Sequence, residues 1–285
     1  MMKVLIAYAN GPMKYSLKQL GIQARYIRQI DKVVLYTPED LPPEILSSPL
    51  MKHRRGGGYW VWKPYIIWKT LQDYPEGTKV CYADAGCSVY PGEEWNRYWQ
   101  VLDRSDTLLF QYAADIPMWG TVFGCSDTAV ECWTKKVTVD FFDAYLHTTQ
   151  YHRQPKIWGG LVFCKGRDNR FVREWLDLTL SHPELVCDPT DEELKDQYPA
   201  FSGLHRHDQS VLTPLAYKYR DEGLTVMDEI FDENRSSSVI FTSRNRVTLK
   251  MYLTVFLKYH LQGILGISTY NRLKARLQSP FKSLK

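Results

Sequence analysis

Lys79-Val80-Cys81-Tyr82-Ala83-Asp84-Ala85-Gly86-Cys87 is the stretch on which the fold turns. A short, mostly apolar run meets a lone carboxylate and then two small residues, which reads as a buried strand opening into a loop. Two more such runs lie upstream. Lys3–Ala9 is ended by Asn10-Gly11-Pro12, and Lys32–Thr37 by Pro38, both turn signals. Between them Ser16–Gln29 has apolar or aromatic residues at 17, 20, 22, 26 and 27, the spacing of a helix, and Pro64 opens another helix running through Leu71. Downstream, strands are predicted over Thr107–Tyr112, Leu161–Lys165 and Leu224–Met227. Helices are predicted over Ser126–Tyr145, Asn169–Leu180 and Asp208–Tyr219. Strands interleaved with helices imply an α/β fold, a mostly parallel sheet covered on both faces.

The chain has 285 residues, 44% hydrophobic and 24% charged, a globular balance. Six cysteines occur without a C-x-x-C pair, which argues against a zinc ribbon or a thioredoxin-type centre and fits reduced thiols in the cytosol. The apolar run Val4–Ala9 is too short for the core of a signal peptide, and no stretch of ~18 uncharged apolar residues occurs. Charge is divided unevenly. From Asn234 to Lys285 there are ten Lys/Arg and no Asp or Glu, while the remainder holds 26 Lys/Arg against 32 Asp/Glu. The expected division is therefore a main globular domain over 1–233 and a basic, amphipathic helical region over 234–285. In that region Leu249, Tyr252, Leu253, Phe256, Leu257, Leu261, Ile264 and Leu265 recur at helical spacing. Two readings of it stand: a final helix packed on the core, or an interfacial helix that meets an anionic membrane surface. An acidic body and the lack of a nucleic-acid motif argue against nucleic acid as a partner.

Four segments can carry chemistry. Ligands of open α/β sheets bind at the carboxyl ends of strands, so Asp84 is placed to meet one, and Ala85 and Gly86 leave room beside it. Arg54-Arg55-Gly56-Gly57-Gly58-Tyr59-Trp60-Val61-Trp62-Lys63-Pro64 combines a pliable backbone with aromatics that stack on sugars or bases and cations that neutralise phosphate. Gly159-Gly160 enters an apolar strand, a sign of close approach by a ligand or another backbone. His205-Arg206-His207-Asp208-Gln209 packs donors, acceptors and candidate metal ligands into a helix start, where Asp208 could equally be a cap. No G-x-S-x-G, Walker loop or G-x-G-x-x-G appears, so hydrolase-triad, P-loop and Rossmann dinucleotide readings drop out.

In this order the YADAGC strand end, the GGLVF strand and the His-Asp-Gln-Ser-x-Leu helix start resemble GT-A nucleotide-sugar glycosyltransferases. The likeness is to bacterial and viral polysaccharide or lipopolysaccharide transferases and, more loosely, to glycogenin-like enzymes, over roughly residues 1–230. The resemblance implies a GT-A, Rossmann-like fold and an enzyme that moves a hexosyl or pentosyl group from a nucleotide-sugar donor to a glycan or glycolipid acceptor. It implies that Ala7 and Tyr8 lie near the nucleotide base, and that Arg54, Arg55 and Lys63 meet the diphosphate. Asp84, Ala85 and Gly86 correspond to the D-x-D motif, and Gly159 and Gly160 face the donor sugar. Asp208 and Gln209 lie beside the reacting carbon, which favours retention. It further implies Mn2+ or Mg2+ at Asp84. Because Gly86 stands where the motif's second acid belongs, His205, His207 or Asp208 would have to complete the shell. A cytoplasmic protein at the membrane periphery is the corresponding location. The alternatives are a nucleotidyltransferase that makes activated sugars and a non-catalytic sugar- or nucleotide-binding protein of a polysaccharide pathway.

Overall fold

The computed structural model describes residues 1–112, 127–228, 238–242 and 246–278. Its strands are β1 (Lys3–Tyr8), β2 (Lys32–Tyr36), β3 (Lys79–Ala83), β4 (Cys87–Val89), β5 (Thr107–Gln111), β6 (Leu161–Lys165), β7 (Leu224–Asp228) and β8 (Ile240–Thr242). Six of them form one sheet in the order β2-β1-β3-β6-β5-β7, and β4 pairs with β8 apart from it. Strands β2, β1 and β3 are parallel, as are β5 and β7, whereas β6 runs antiparallel to both its neighbours. Parallel neighbours need crossovers. Helices α1 (Lys14–Ala24) and α2 (Trp62–Asp73) lie on the β1–β2 and β2–β3 connections. The expected mostly parallel sheet with flanking helices is the architecture found.

Side chains alternate across a strand, and here both faces are covered. Val4, Ile6, Tyr8, Val80 and Tyr82 join Ile66 and Ile67 of α2 in one core, with Val172 and Trp175 of a later helix. Leu5, Ala7, Cys81 and Ala83 join Leu17 and Leu20 of α1 in the other, with Trp95 and Trp99. The parity decides the site. Even-numbered residues of β3 face α2, and Asp84 continues that register just past the strand end.

Downstream helices are α3 (Glu94–Val101), α4 (Lys136–Leu146), α5 (Arg170–Ser181), α6 (Asp208–Tyr219), α7 (Leu249–Leu265) and α8 (Ile267–Gln278). The Asp208–Tyr219 helix has the bounds expected of it. The helix expected over Ser126–Tyr145 does not form as one piece: Ser126 lies outside the described residues, and a 3-10 turn at Val130–Trp133 precedes α4. Tertiary partners account for the break. Ala129 N donates to the Asp127 carboxylate (2.8 Å), Trp133 Nε1 donates to Asp127 O (2.6 Å), and Arg153 pairs with Asp127 and Glu131.

The basic region does not begin as a separate appendage. Val239 and Ile240 are buried in the α1-side core, and β8 pairs with β4. Thr248 caps α7 by accepting from Met251 N (3.3 Å). Helix α7 rests on α1 through Tyr15 against Tyr252, and on the turn after α1 through Tyr26, whose hydroxyl donates to Tyr259 O (2.9 Å). Tyr259 is the one residue of α7 that is buried. Leu253, Phe256, Leu257, Leu261 and Ile264 stay exposed, Ile264 by 67%, so the helix does not bury its apolar stripe in the core. Of the ten tail cations, Arg235, Arg244, Lys282 and Lys285 lie outside the described residues. No helix among the described residues is long and apolar enough to cross a membrane.

Candidate active site

The chain leaves β1 for β2 on one side and returns to β3 on the other, so a crevice opens between the carboxyl ends of β1 and β3, the place where open α/β sheets bind ligands. Because β6 is antiparallel, its amino end, not its carboxyl end, reaches the same rim. Ala83 pairs with Leu161, and Asp84 N donates to Gly160 O (2.9 Å). A cleft of about 410 Å³ results, lined by Tyr8–Asn10, Arg54–Gly57, Trp60, Trp62, Lys63, Tyr82, Asp84–Cys87, Trp158–Gly160, Arg206–Gln209 and Arg246.

At its floor Lys63, in the first turn of α2, is 1% exposed. Its ammonium has three N–H groups and meets three acceptors: Asp208 Oδ2 (2.5 Å), Gly159 O (2.9 Å) and Asp84 Oδ1 (3.4 Å). Burial pushes this ammonium down, but the Asp208 and Asp84 carboxylates outweigh it and hold Lys63 above its ordinary value. Tyr82 donates its hydroxyl to Asp84, while burial, with Asp84 beside it, raises the phenol well above its usual range. Asp208 Oδ1 accepts from Gln209 N (3.0 Å). A Cβ on Gly159 would stand 2.7 Å from Asp208 Oδ2, so only glycine lets the β6 entry approach this carboxylate. One buried lysine thus ties the end of β3, the entry to β6 and the start of α6 into a single unit.

The Gly-rich segment arches over one side. Gly56, Gly57, Gly58, Tyr59 and Trp60 all have positive φ. Gly58, at φ +103°, also lies where a Cβ would meet Met51 Sδ at 2.5 Å. Left-handed backbone at Tyr59, Trp60 and His207 is strain of the kind that collects at functional sites. Asp188 fastens this arch, accepting from Arg55 (2.9 Å) and the Tyr59 hydroxyl (2.7 Å). Tyr8 stacks on Trp62 at 4.0 Å between centroids, and burial, with Glu39 behind it, pushes its phenol up to about 12. The buried Tyr8 hydroxyl and the Gln209 Oε1 atom have no hydrogen-bond partner among the described residues. An orphaned buried polar atom costs ~1–3 kcal/mol, so both ask for a ligand that hydrogen-bonds.

Of the residues expected in the site, Tyr8, Arg54, Arg55, Lys63, Asp84, Ala85, Gly86, Gly159, Gly160, His207, Asp208 and Gln209 line this one cleft. Ala7 does not: the parity of β1 sends it into the α1-side core, 0% exposed. Lys63 is in the cleft floor, but its donors face protein acceptors, so its expected contact with a diphosphate gives way to an internal counter-ion role. His205 is buried away from the cleft, with Nε2 on Leu185 O (2.9 Å) and Nδ1 accepting from Lys135 N (3.3 Å). Burial, with His207 and Lys135 nearby, holds it well below its usual value. His207 Nδ1 is on Val186 O (2.8 Å), and burial lowers this imidazole too.

The donor set for a divalent cation does not fit. Beside a diphosphate, Mn2+ or Mg2+ is held by phosphate oxygens, water and one or two carboxylates that must be free to bind it. Among the described residues no group of three His, Cys, Asp or Glu stands close enough to share a metal ion. Asp84 has Gly86 as its loop neighbour and a lysine ammonium at 3.4 Å, and His205 is committed to backbone partners. Arg246 entered no sequence motif, whereas Trp158, which begins the Trp158-Gly159-Gly160-Leu161-Val162-Phe163 segment, lines the cleft. Arg246 lies 160 or more positions from the Asp84 loop and the Gly-rich segment, and the surplus of cations in the tail is the one trace it leaves in the sequence.

No family model matches the sequence, and no curated protein matches it. Solved structures similar in shape include a glycosyltransferase involved in glycosylation of the major capsid of PBCV-1 (TM-score 0.48, 11% identity, 90% of this chain and 100% of that one). Others are GlyE of Streptococcus pneumoniae TIGR4 (0.44, 12%, 92% and 60%) and mouse xyloside xylosyltransferase 1 (0.43, 11%, 80% and 86%). The overlap at these scores is partial, and the functional reading stands on the cleft itself.

Proposed function

We propose that this chain is a glycosyltransferase that moves a sugar from a nucleotide-sugar donor to a glycan or glycolipid acceptor. The observation that carries the reading is the cleft at the β1–β3 switch point. It combines stacked aromatics, arginines, and an acid-amide pair at the start of α6 whose Gln209 oxygen finds no donor among the described residues. Separating a sugar cation from a nucleoside diphosphate requires charge stabilisation set up in advance. In this reading Tyr8 and Trp62 hold the base end, and arginines meet the diphosphate. Asp208, fixed in position by Lys63, and Gln209 flank the sugar carbon, with retention the favoured outcome. Glycoside hydrolysis is less well supported, since it needs two carboxyl groups with room for sugar or water between them, and here Lys63 lies between Asp84 and Asp208.

The acceptor side of the proposal draws on α7 and α8. Their exposed leucines, Phe256 and Ile264 accompany Lys250, Lys258, Arg272 and Lys274, with no acid from 246 to 278. An apolar face with cations and no acids suits an anionic membrane surface, which would bring a cytoplasmic enzyme to a lipid-linked acceptor. A thermal-shift panel of UDP-, GDP-, CMP- and dTDP-sugars tests the donor class: one of the four raises Tm under this proposal, and none does if the cleft serves another chemistry.

A further inference from the structure

We infer that arginines from three separate stretches of chain, Arg54, Arg206 and Arg246, hold the donor diphosphate in the place a divalent cation would take. This rests on the glycosyl-transfer reading above and deepens it. All three line the one cleft, where Lys63 is set against Asp84 and Asp208; Arg55 lines it too, but its guanidinium is taken by Asp188 (2.9 Å). Guanidinium is planar, always charged and able to grip phosphate oxygens with two parallel N–H bonds, which suits it to a diphosphate better than a lone ammonium. The acids are already balanced from within: the Lys63 ammonium sits between them, and a cation placed on Asp84 would confront that like charge at short range.

Each arginine is delivered by a distinct structural device. Arg54 leads into the left-handed run Gly56–Trp60, which Asp188 fastens through Arg55 and Tyr59. Arg206 directly precedes the strained His207 and lies over the Trp133 ring at 4.8 Å. Arg246 is set by its neighbour: Val247 is buried, and Val247 N donates to Ser16 Oγ (3.1 Å) on α1. The same segment then enters α7, so the basic tail gives one of its cations to the cleft.

Calorimetric titration of the full-length chain with UDP, GDP, CDP and dTDP, each in EDTA and in Mn2+ at one ionic strength, tests this. The nucleotide that binds is expected to do so with the same Kd in both, within about twofold, and to bind roughly ten- to a hundredfold more weakly to Arg206→Gln and to Arg246→Gln. Binding that requires Mn2+, or tightens more than about tenfold with it, overturns the inference while leaving glycosyl transfer standing, as do folded variants with unchanged Kd. The EDTA comparison needs no variant and decides the point even if a substitution prevents folding. If none of the four nucleotides binds in either buffer, the glycosyl-transfer reading fails and the inference with it.

Discussion

Replacing Lys63 by methionine keeps the stem of the side chain and deletes its charge. Asp208, 7% exposed, would retain Gln209 N as its donor but lose its counter-ion, and Gly159 O would lose its partner. Removing one member of a buried ion pair costs ~3–5 kcal/mol, because the other charge is left in a poorly polarisable surrounding. That is a large share of a folding stability of ~5–15 kcal/mol. With a urea slope of ~3 kcal/mol per molar, the unfolding midpoint should fall by roughly 1–1.7 M. Adding Asp208→Asn in the same background removes the stranded charge, so the double variant should be at least ~1 kcal/mol more stable than Lys63→Met alone. A midpoint shift under ~0.3 M, or a double variant less stable than the single, would show that the lysine does not hold the two acids together.

Gly159→Ala should lower kcat about a hundredfold with a smaller effect on KM, since the added methyl displaces Asp208 and an ångström of misplacement costs about that much; unchanged steady-state kinetics would mean that the Asp208 position is immaterial. His205 stays neutral in the fold because its value lies well below the ordinary 6.5. The unfolded chain takes up a proton below that pH and the folded one does not, so stability is full above pH 6.5 and falls below it by about 1.4 kcal/mol per pH unit. Denaturation of His205→Gln between pH 6.5 and 5 should be shallower by one proton, and an identical slope would refute the assignment. Leu257→Asp and Ile264→Asp alter side chains 55% and 67% exposed, so Tm should hold while sedimentation with anionic vesicles drops roughly tenfold; unaltered sedimentation would leave α7 without a membrane role.

The fold was open to reading because its strands are short apolar runs closed by turn residues, as at Asn10-Gly11-Pro12 and Pro38. The acid after β3 could be located for the same reason: a strand of five buried residues has one exit, and the polar residue there has to face the crevice. The direction of β6 was not legible, since Leu-Val-Phe-Cys-Lys has the same alternation in either sense. Yet that direction is what brings Gly159 to Asp208. Lys63 was visible as a cation but not as a buried one. Its burial depends on α2 crossing the face to which Tyr82 and Asp84 point, a consequence of packing that no local pattern records. The broken helix before α4 and the contribution of Arg246 are likewise products of contacts between residues far apart in the chain.

Incubating the chain with the nucleotide-sugar that stabilises it, and separating the products by mass, examines the reaction centre itself. Release of nucleoside diphosphate with the sugar passed to acceptor or water is predicted, together with a loss of at least a hundredfold in Asp208→Asn, which should still bind the nucleotide. Pyrophosphate appearing together with a sugar phosphate, or turnover untouched by that substitution, would contradict a glycosyl-transfer centre at the start of α6.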